Sequence, residues 1–287
     1  MKNVTASIRD RLLQVARQEG IQFQRVLTLY KQEGLLHRIA STDLAESVVL
    51  KGGLLFFQLK GLVARPTKDI DLLGTERGAD QTLLLNVLRS AAGVEIGDGL
   101  TFDPDSIVVA PISGQTEHGG VRGNIVAYLG SARTRLQIDM GFGDIITGGP
   151  IERPYRTLLG NRSFSIRAYP DATLAAEKME AVVSLGVINS RYKDLFDLFA
   201  LLVEGELSAQ EVADAAANTF RRRGTALPKM PDGLSVEHWE SAGFATEWSR
   251  FLRRIGTDSP EFHLLRTELL PRLRKIYLSA RAMAKEA

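Results

Sequence analysis

Two aspartates separated by one residue are the side chains of this sequence whose types and spacing best suit chemistry. Asp69 and Asp71 lie in the segment KDIDLL (68–73), whose alternation predicts a β-strand with both carboxylates on one face and Ile70 on the other. Two carboxylates this close repel each other, and a bound divalent cation relieves the repulsion. Because carboxylate oxygens are hard ligands, we expect Mg²⁺ or Mn²⁺.

A glycine pair lies upstream, where a predicted strand (48–50) meets a predicted helix (54–59). The junction reads Lys51-Gly52-Gly53. Glycine lets backbone N–H groups approach a phosphate at a helix start, where the helix dipole favours negative charge. A phosphate site next to a metal-binding carboxylate pair predicts that a nucleotide binds here.

Two basic residues flank the carboxylates on the approach to their strand. Arg65 and Lys68 could contact a phosphate or the acceptor of a transferred group. Arg65 could equally pair with a carboxylate, because exposed ion pairs of this kind are common. The residues alone leave both roles open.

Four further charged residues lie on predicted strands or helices with apolar neighbours. Asp139 lies on a predicted strand (135–140) and is either an exposed aspartate or a group with metal-binding or base function. Lys178 projects from the apolar face of a helix that begins near Asp171, so it reaches water or pairs with an anion. Asp194 and Asp197 are three residues apart and share a helix face.

The periodicity predicts an α/β chain with two parts. Two N-terminal helices, strands and a further helix (80–92) form a domain over residues 1–167, and a helical domain follows over residues 168–287. We expect the helical domain to complete the active-site cleft. Residues 145–169 are predicted to be loop and short strand, with prolines at 150, 154 and 170, and are expected to form the linker between the sheet and the helical part. The aromatic residues of segment 239–252 are expected to pack in a core.

Composition sets bounds on the class of protein. The 287 residues are 44% hydrophobic and contain no cysteine, which excludes disulfides and thiolate metal sites. No apolar segment is long enough for a membrane helix or a secretion signal, so we expect a soluble cytoplasmic protein without a membrane partner. A net charge of +2 does not by itself indicate a nucleic-acid-binding protein, although the C-terminal third is rich in arginine.

Six segments in order resemble the AbiEii/AbiGii toxin family, which belongs to the DNA polymerase beta-like nucleotidyltransferase superfamily. The superfamily signature is a Gly-Gly or Gly-Ser at a helix start followed by a D-x-D strand. The resemblance spans roughly residues 23–225 and rests on LTLYKQEGLLHRIA, VVLKGGLLF, RPTKDIDLLG, RLQIDMGFGD, AYPDATLAAEKMEAVVSLG and NSRYKDLFDL.

The resemblance implies a fold, a reaction and several site residues. The implied fold is a nucleotidyltransferase-like mixed sheet with flanking helices. Asp139 would be the third metal-binding carboxylate, Lys178 would face the triphosphate, and Asp194 rather than Asp197 would lie at the site. Characterised members add nucleotides to the 3′ end of tRNA and are restrained by a cognate antitoxin, so NTP, tRNA and an antitoxin are the implied partners.

Two other classes of function compete with nucleotidyl transfer. A D-x-D strand also serves metal-dependent glycosyltransferases that use nucleotide sugars, although the glycine helix start and Lys178 disfavour them. A protein that binds a nucleotide or an antitoxin without turnover would keep the same fold. Nucleotidylation of a protein would use the same residues as transfer to RNA, and no residue indicates which NTP is preferred.

Overall fold

The computed structural model describes residues 4–75, 81–112, 120–160, 162–186, 192–205 and 207–286. Residues 189–191, which begin the last segment of the family resemblance, lie outside this part of the chain. The chain divides into two compact units. The first contains Met1–Gly143 and Pro150–Ala168, and the second contains Asp144–Gly149 and Tyr169–Ala287.

The first unit is a seven-stranded sheet with helices, so the expected α/β class is confirmed. Its strands follow the order β3-β4-β5-β2-β1-β7-β6 across the sheet. The helices are α1 (Val4–Gln18), α2 (Phe23–Ala40), α3 (Gly52–Lys60) and α4 (Gln81–Ala92). The strands are β1 (Val48–Lys51), β2 (Asp69–Gly74), β3 (Leu100–Pro111), β4 (Val121–Leu129), β5 (Ala132–Phe142), β6 (Ile151–Pro154) and β7 (Ser165–Ala168).

The sheet is mixed, and its centre is made by strands that are distant in sequence. Strand β2 pairs antiparallel with β1 and parallel with β5. Residues 145–169 contain loop and short strands, as predicted, but residues 150–168 belong to the sheet unit and do not form a separate linker, because β6 pairs with β7 and Leu50 of β1 pairs with Ala168 of β7. Both strands are four residues long, which is too short for a clear alternation signal.

One face of the sheet is covered by α4, which packs against β3 and β4. Leu84, Val87 and Leu88 of this helix are fully buried. A Cβ atom on Gly123 would lie 2.9 Å from side-chain atoms of Leu84 and Leu88, so any larger residue at this position would force these two leucine side chains to shift. The apolar face of β2, with Ile70, points to the same side as Gly123, since both lie in register with Ile138.

A buried ion pair joins α2 to the segment before β3. The Arg38 Nη1 and Nη2 atoms lie 2.6 and 2.9 Å from the two carboxylate oxygens of Asp98. Burial by itself would raise the pKa of Asp98, but the hydrogen bonds and charge of Arg38 outweigh it and lower that pKa. Arg162 Nη1 lies 3.1 Å from the same carboxylate, so two cations surround one buried anion.

The second unit is helical in the part of the chain that the structure describes. It contains α5 (Asp171–Leu185), α6 (Tyr192–Leu202), α7 (Ala209–Arg223), α8 (Val236–Glu240), α9 (Ala242–Ile255), α10 (Phe262–Leu264) and α11 (Leu270–Glu286). Gly186 ends α5 with a φ of 49°, as the sequence predicts, and Pro271 lies in the first turn of α11. No described helix combines the length and apolarity needed to cross a membrane.

The aromatic stretch packs as a core, which confirms that prediction. Trp239 and Trp248 are fully buried, and their rings lie 5.2 Å from Phe244 and 5.4 Å from Phe251, respectively. Each indole N–H donates to a backbone carbonyl, so the polar atom of each buried ring is satisfied.

We expect Arg38→Ala to lower the free energy of unfolding by about 3–5 kcal/mol, because it leaves the Asp98 carboxylate buried with much less compensation. Urea denaturation measures the loss. Arg89→Ala, at an exposed position of α4, is the matched control and should change stability by less than about 0.5 kcal/mol. Equal effects of the two changes would contradict a structural role for the buried pair.

Candidate active site

The two aspartates of β2 lie on one face of their strand, as the alternation predicts. Asp69 and Asp71 are partly exposed, whereas Ile70 and Leu72 are fully buried on the opposite face. The buried face fixes the strand in register, because a shift by one residue would bury both carboxylates. The packing of the sheet therefore determines which way the carboxylates point.

The register of the sheet places charged and polar residues beside these carboxylates. Lys51 pairs with Asp71 across the antiparallel β1–β2 ladder. On the other side of β2, Gln137 pairs with Asp69, and Asp139 pairs with Asp71. Residues directly opposite each other in neighbouring strands point to the same face. Asp71 therefore lies between a lysine and a second aspartate.

The glycine pair closes on the Asp71 carboxylate. Gly52 has a φ of +66°, and a Cβ atom there would lie 2.0 Å from Asp71 Oδ2. The Gly53 N–H donates to the same oxygen across 3.2 Å. The positive end of α3 thus faces an anion supplied by the protein. Binding of a phosphate by the N–H groups of Gly52 and Gly53 stays a prediction.

Arg65 and Lys68 lie in the segment that leads into β2. A Cβ atom on Gly53 would lie 3.5 Å from Arg65 Nη1, which places this guanidinium beside the start of α3. Lys68 is exposed, and its backbone carbonyl accepts a hydrogen bond from Gln32 Nε2 at 2.9 Å. Both cationic side chains therefore lie close in sequence to the carboxylates.

Asp139 is held by an arginine that sequence reasoning missed. Arg122 Nε donates to Asp139 Oδ1 at 2.8 Å, and Nη2 donates to Oδ2 at 2.7 Å. The hydrogen bonds to Asp139 raise the pKa of Arg122, and the charge of Asp69 also raises it. The alternation of β4 could have placed Arg122 on a polar face, but only the β4–β5 register shows that it faces Asp139.

The carboxylate face fits a hard cation held by two ligands. Mg²⁺ is commonly bound by one or two carboxylates, together with waters and substrate phosphates. Asp69 and Asp71 meet that description. Among the described residues, no three His, Cys, Asp or Glu side chains are arranged to hold a metal ion. Asp139, which lies in register with Asp71, is paired with Arg122.

Lys178 belongs to the helical unit and is paired with two carboxylates there. Its Nζ lies 3.5 Å from Asp194 Oδ1 and also contacts Asp197 Oδ2. The exposed fractions of the Lys178, Asp194 and Asp197 side chains are 7%, 8% and 0%. Of the two readings of this lysine, the structure thus shows pairing with anions from the protein itself. The role of Lys178 and Asp194 in a reaction stays a prediction.

We expect Gly52→Ala to be more destabilising than a positive φ alone explains, because the new Cβ would displace the Asp71 carboxylate. Gly61→Ala is the matched control, since Gly61 also has a positive φ, of +71°. Within the described part of the chain, a Cβ atom added to Gly61 would have no neighbouring atom within 4 Å. The control should cost about 1–3 kcal/mol. Denaturation midpoints compare the two, and equal losses would contradict the close approach of Gly52 to Asp71.

We expect Lys178→Met to lower the free energy of unfolding by about 3–5 kcal/mol, because it leaves two buried carboxylates without their shared cation. Lys193→Met, at an exposed position of α6, should stay within about 0.5 kcal/mol of the parent. Urea unfolding followed by the fluorescence of Trp239 and Trp248 reports on this unit. A fully stable Lys178→Met variant would exclude a structural role for the lysine.

Comparison with known proteins identifies the family. A family model described as "Nucleotidyl transferase AbiEii toxin, Type IV TA system" matches residues 34–277. No curated protein sequence matches the chain.

Two solved structures are similar to this chain at low sequence identity. One, from H. pylori and provisionally named a nucleotidyltransferase, is 14% identical over 93% of this chain and 97% of its own, with a TM-score of 0.48. JHP933 from Helicobacter pylori is 14% identical over 92% and 94% of the two chains, with a TM-score of 0.45. The family match alone covers most of the sequence, and it shows that this chain belongs to the AbiEii family of nucleotidyltransferase toxins of type IV toxin–antitoxin systems.

Proposed function

We propose that the chain transfers a nucleoside monophosphate from an NTP to an acceptor hydroxyl at the 3′ end of tRNA, with a divalent metal ion. The observation that carries the proposal is the position of Asp69 and Asp71 on one face of β2, with the glycine start of α3 against Asp71. Membership in a nucleotidyltransferase family supports the class of reaction.

Asp69 and Asp71 would hold Mg²⁺ or Mn²⁺, since both are hard carboxylate ligands on the same face of the strand. When bound, such an ion offsets the negative charge that develops on the phosphoryl oxygens during transfer. Gly52 allows the Asp71 carboxylate to lie at the start of α3, because the absence of a side chain leaves room for it there.

Three basic side chains would bind the triphosphate. Lys51 lies in register with Asp71, the Arg65 guanidinium lies beside Gly53, and Lys68 is exposed next to Asp69. A triphosphate carries several negative charges, so cations on both sides of a carboxylate pair would stabilise it where the carboxylates alone would repel it.

The proposed reaction is an in-line displacement. The oxygen of the acceptor hydroxyl forms a bond to the α-phosphorus, the bond from that phosphorus to the oxygen that bridges to the β-phosphate breaks, and pyrophosphate leaves. The hydroxyl proton passes to water. The protein contributes position and charge, which are the main sources of catalysis in phosphoryl and nucleotidyl transfer.

Basic residues next to the site support a polyanionic acceptor. Arg133 and Arg135 are exposed and lie on the same face of β5 as Gln137 and Asp139. Arginine side chains bind nucleic-acid backbones chiefly through the phosphates, without regard to sequence. The face of β5 that leads to Asp139 is therefore suited to an RNA strand.

Lys178 and Asp194 are proposed to assist transfer because of their places in segments that resemble the family. Their buried pairing with each other supports at least a structural contribution within the helical unit. A type IV toxin family also implies an antitoxin partner for this chain.

We expect Asp69→Asn to lower nucleotide transfer by more than about 100-fold, because loss of a direct metal ligand should cost at least as much as loss of its supporting partners. The measurement is incubation with Mg²⁺, total tRNA and each radiolabelled NTP in turn. Label on RNA with the parent protein and not with Asp69→Asn is the expected result.

Asp105→Asn is the matched control, since it makes the same chemical change at an exposed position of β3. It should leave transfer unchanged. Label on protein instead of RNA would correct the acceptor, and release of sugar from a nucleotide sugar would indicate the glycosyltransferase class. Full transfer by Asp69→Asn would contradict the metal-binding role of the carboxylates.

A further inference from the structure

Asp139, which lies in register with Asp71, is paired with the guanidinium of Arg122. Arg122 engages both oxygens of Asp139 at 2.8 and 2.7 Å, and Gln137 Nε2 lies 3.4 Å from Oδ2. Both Asp139 oxygens are therefore engaged by donors from the protein. In this arrangement the guanidinium competes with a metal ion for Asp139, because its positive charge and both of its hydrogen bonds lie on that carboxylate.

The position of Asp139 would otherwise suit metal binding. It lies in register with Asp71 in the parallel β2–β5 pair, and neighbouring strands lie about 4.8 Å apart. A cation held by Asp69 and Asp71 would thus be within reach of an Asp139 carboxylate that turned away from Arg122. The present arrangement differs from a metal site with three carboxylates in one respect, because Asp139 is paired with Arg122.

The Arg122–Asp139 pair can exchange partners at low cost. The Arg122 side chain is 44% exposed and that of Asp139 is 21% exposed, so water can solvate both groups as they separate. Ion pairs this accessible contribute little to stability. The guanidinium would also gain a new partner when a triphosphate binds, because arginine pairs with phosphate through two parallel hydrogen bonds.

We propose that Arg122 makes metal binding depend on the nucleotide: it holds Asp139 until a triphosphate pairs with the guanidinium, and Asp139 then becomes the third carboxylate ligand of the metal. The inference rests on the proposed function, since it requires metal binding at Asp69 and Asp71. Because coupling between two binding sites is reciprocal, metal and nucleotide should each tighten the binding of the other.

The test measures Mn²⁺ binding at equilibrium by electron paramagnetic resonance, without turnover. Wild-type protein and Arg122→Met are titrated alone and with α,β-methylene analogues of the four NTPs, which block the transfer step. Without nucleotide, Arg122→Met should bind Mn²⁺ about 3–10-fold more tightly, because it frees Asp139 and removes a positive charge. The increase in Mn²⁺ affinity on addition of nucleotide should be smaller than in the wild type.

Three further variants make the result specific. Arg89→Met removes an exposed arginine of α4, in the same unit but outside the candidate site, and should bind Mn²⁺ like the wild type. Adding Asp139→Asn to Arg122→Met should cancel the gain in Mn²⁺ affinity, because the freed carboxylate is then absent. Arg122→Lys keeps the charge but cannot form the two-pronged contact, so its Mn²⁺ affinity should lie between those of wild type and Arg122→Met.

Equal Mn²⁺ affinities of wild type and Arg122→Met, or a gain that survives Asp139→Asn, would overturn the proposal. Asp69→Asn separates this failure from failure of the proposed function. If Asp69→Asn abolishes Mn²⁺ binding while Arg122→Met leaves it unchanged, the metal site stands and the role of Arg122 falls. If Asp69→Asn leaves Mn²⁺ binding intact, the carboxylates do not hold the metal and both fail.

Discussion

The close approach of the α3 backbone to the Asp71 carboxylate is the contact on which the candidate site depends. The chain leaves β1 at Lys51 and enters the helix at once, which requires a φ of +66° at Gly52 and no side chain there. The Gly53 N–H then reaches Asp71 Oδ2 at 3.2 Å. One junction therefore determines where the helix starts and what the Asp71 carboxylate contacts there.

Charge compensation across the sheet explains how several carboxylates share one face. Asp71 lies in register with Lys51 on one side and with Asp139 on the other, and Asp139 is paired with Arg122. Without these cations, the aspartates would repel one another at the distance between adjacent strands. The same cations would bind the phosphates of a nucleotide. A bound metal ion would then compensate the carboxylates, and the triphosphate would compensate the lysine and the arginine.

Burial distinguishes the ion pairs that support the fold from the pair that can exchange partners. Arg38 and Asp98 in the sheet unit have exposed side-chain fractions of 3% and 0%, and Lys178 and Asp197 in the helical unit have 7% and 0%. Separating such charges removes a compensating charge where little water can replace it, which is costly. Arg122 and Asp139 are far more exposed, and water replaces the lost contact.

The sequence by itself determined the features that follow from local period and backbone sterics. These are the common face of Asp69 and Asp71, the glycine start of α3, the end of α5 at Gly186 and the burial of the aromatic segment. Only the tertiary structure decided that β7 joins β1, that Asp139 lies beside Asp71, that Arg122 holds Asp139, and that Lys178 pairs with both Asp194 and Asp197. Strand order and register depend on contacts between residues far apart along the chain, and a local periodicity carries no information about them.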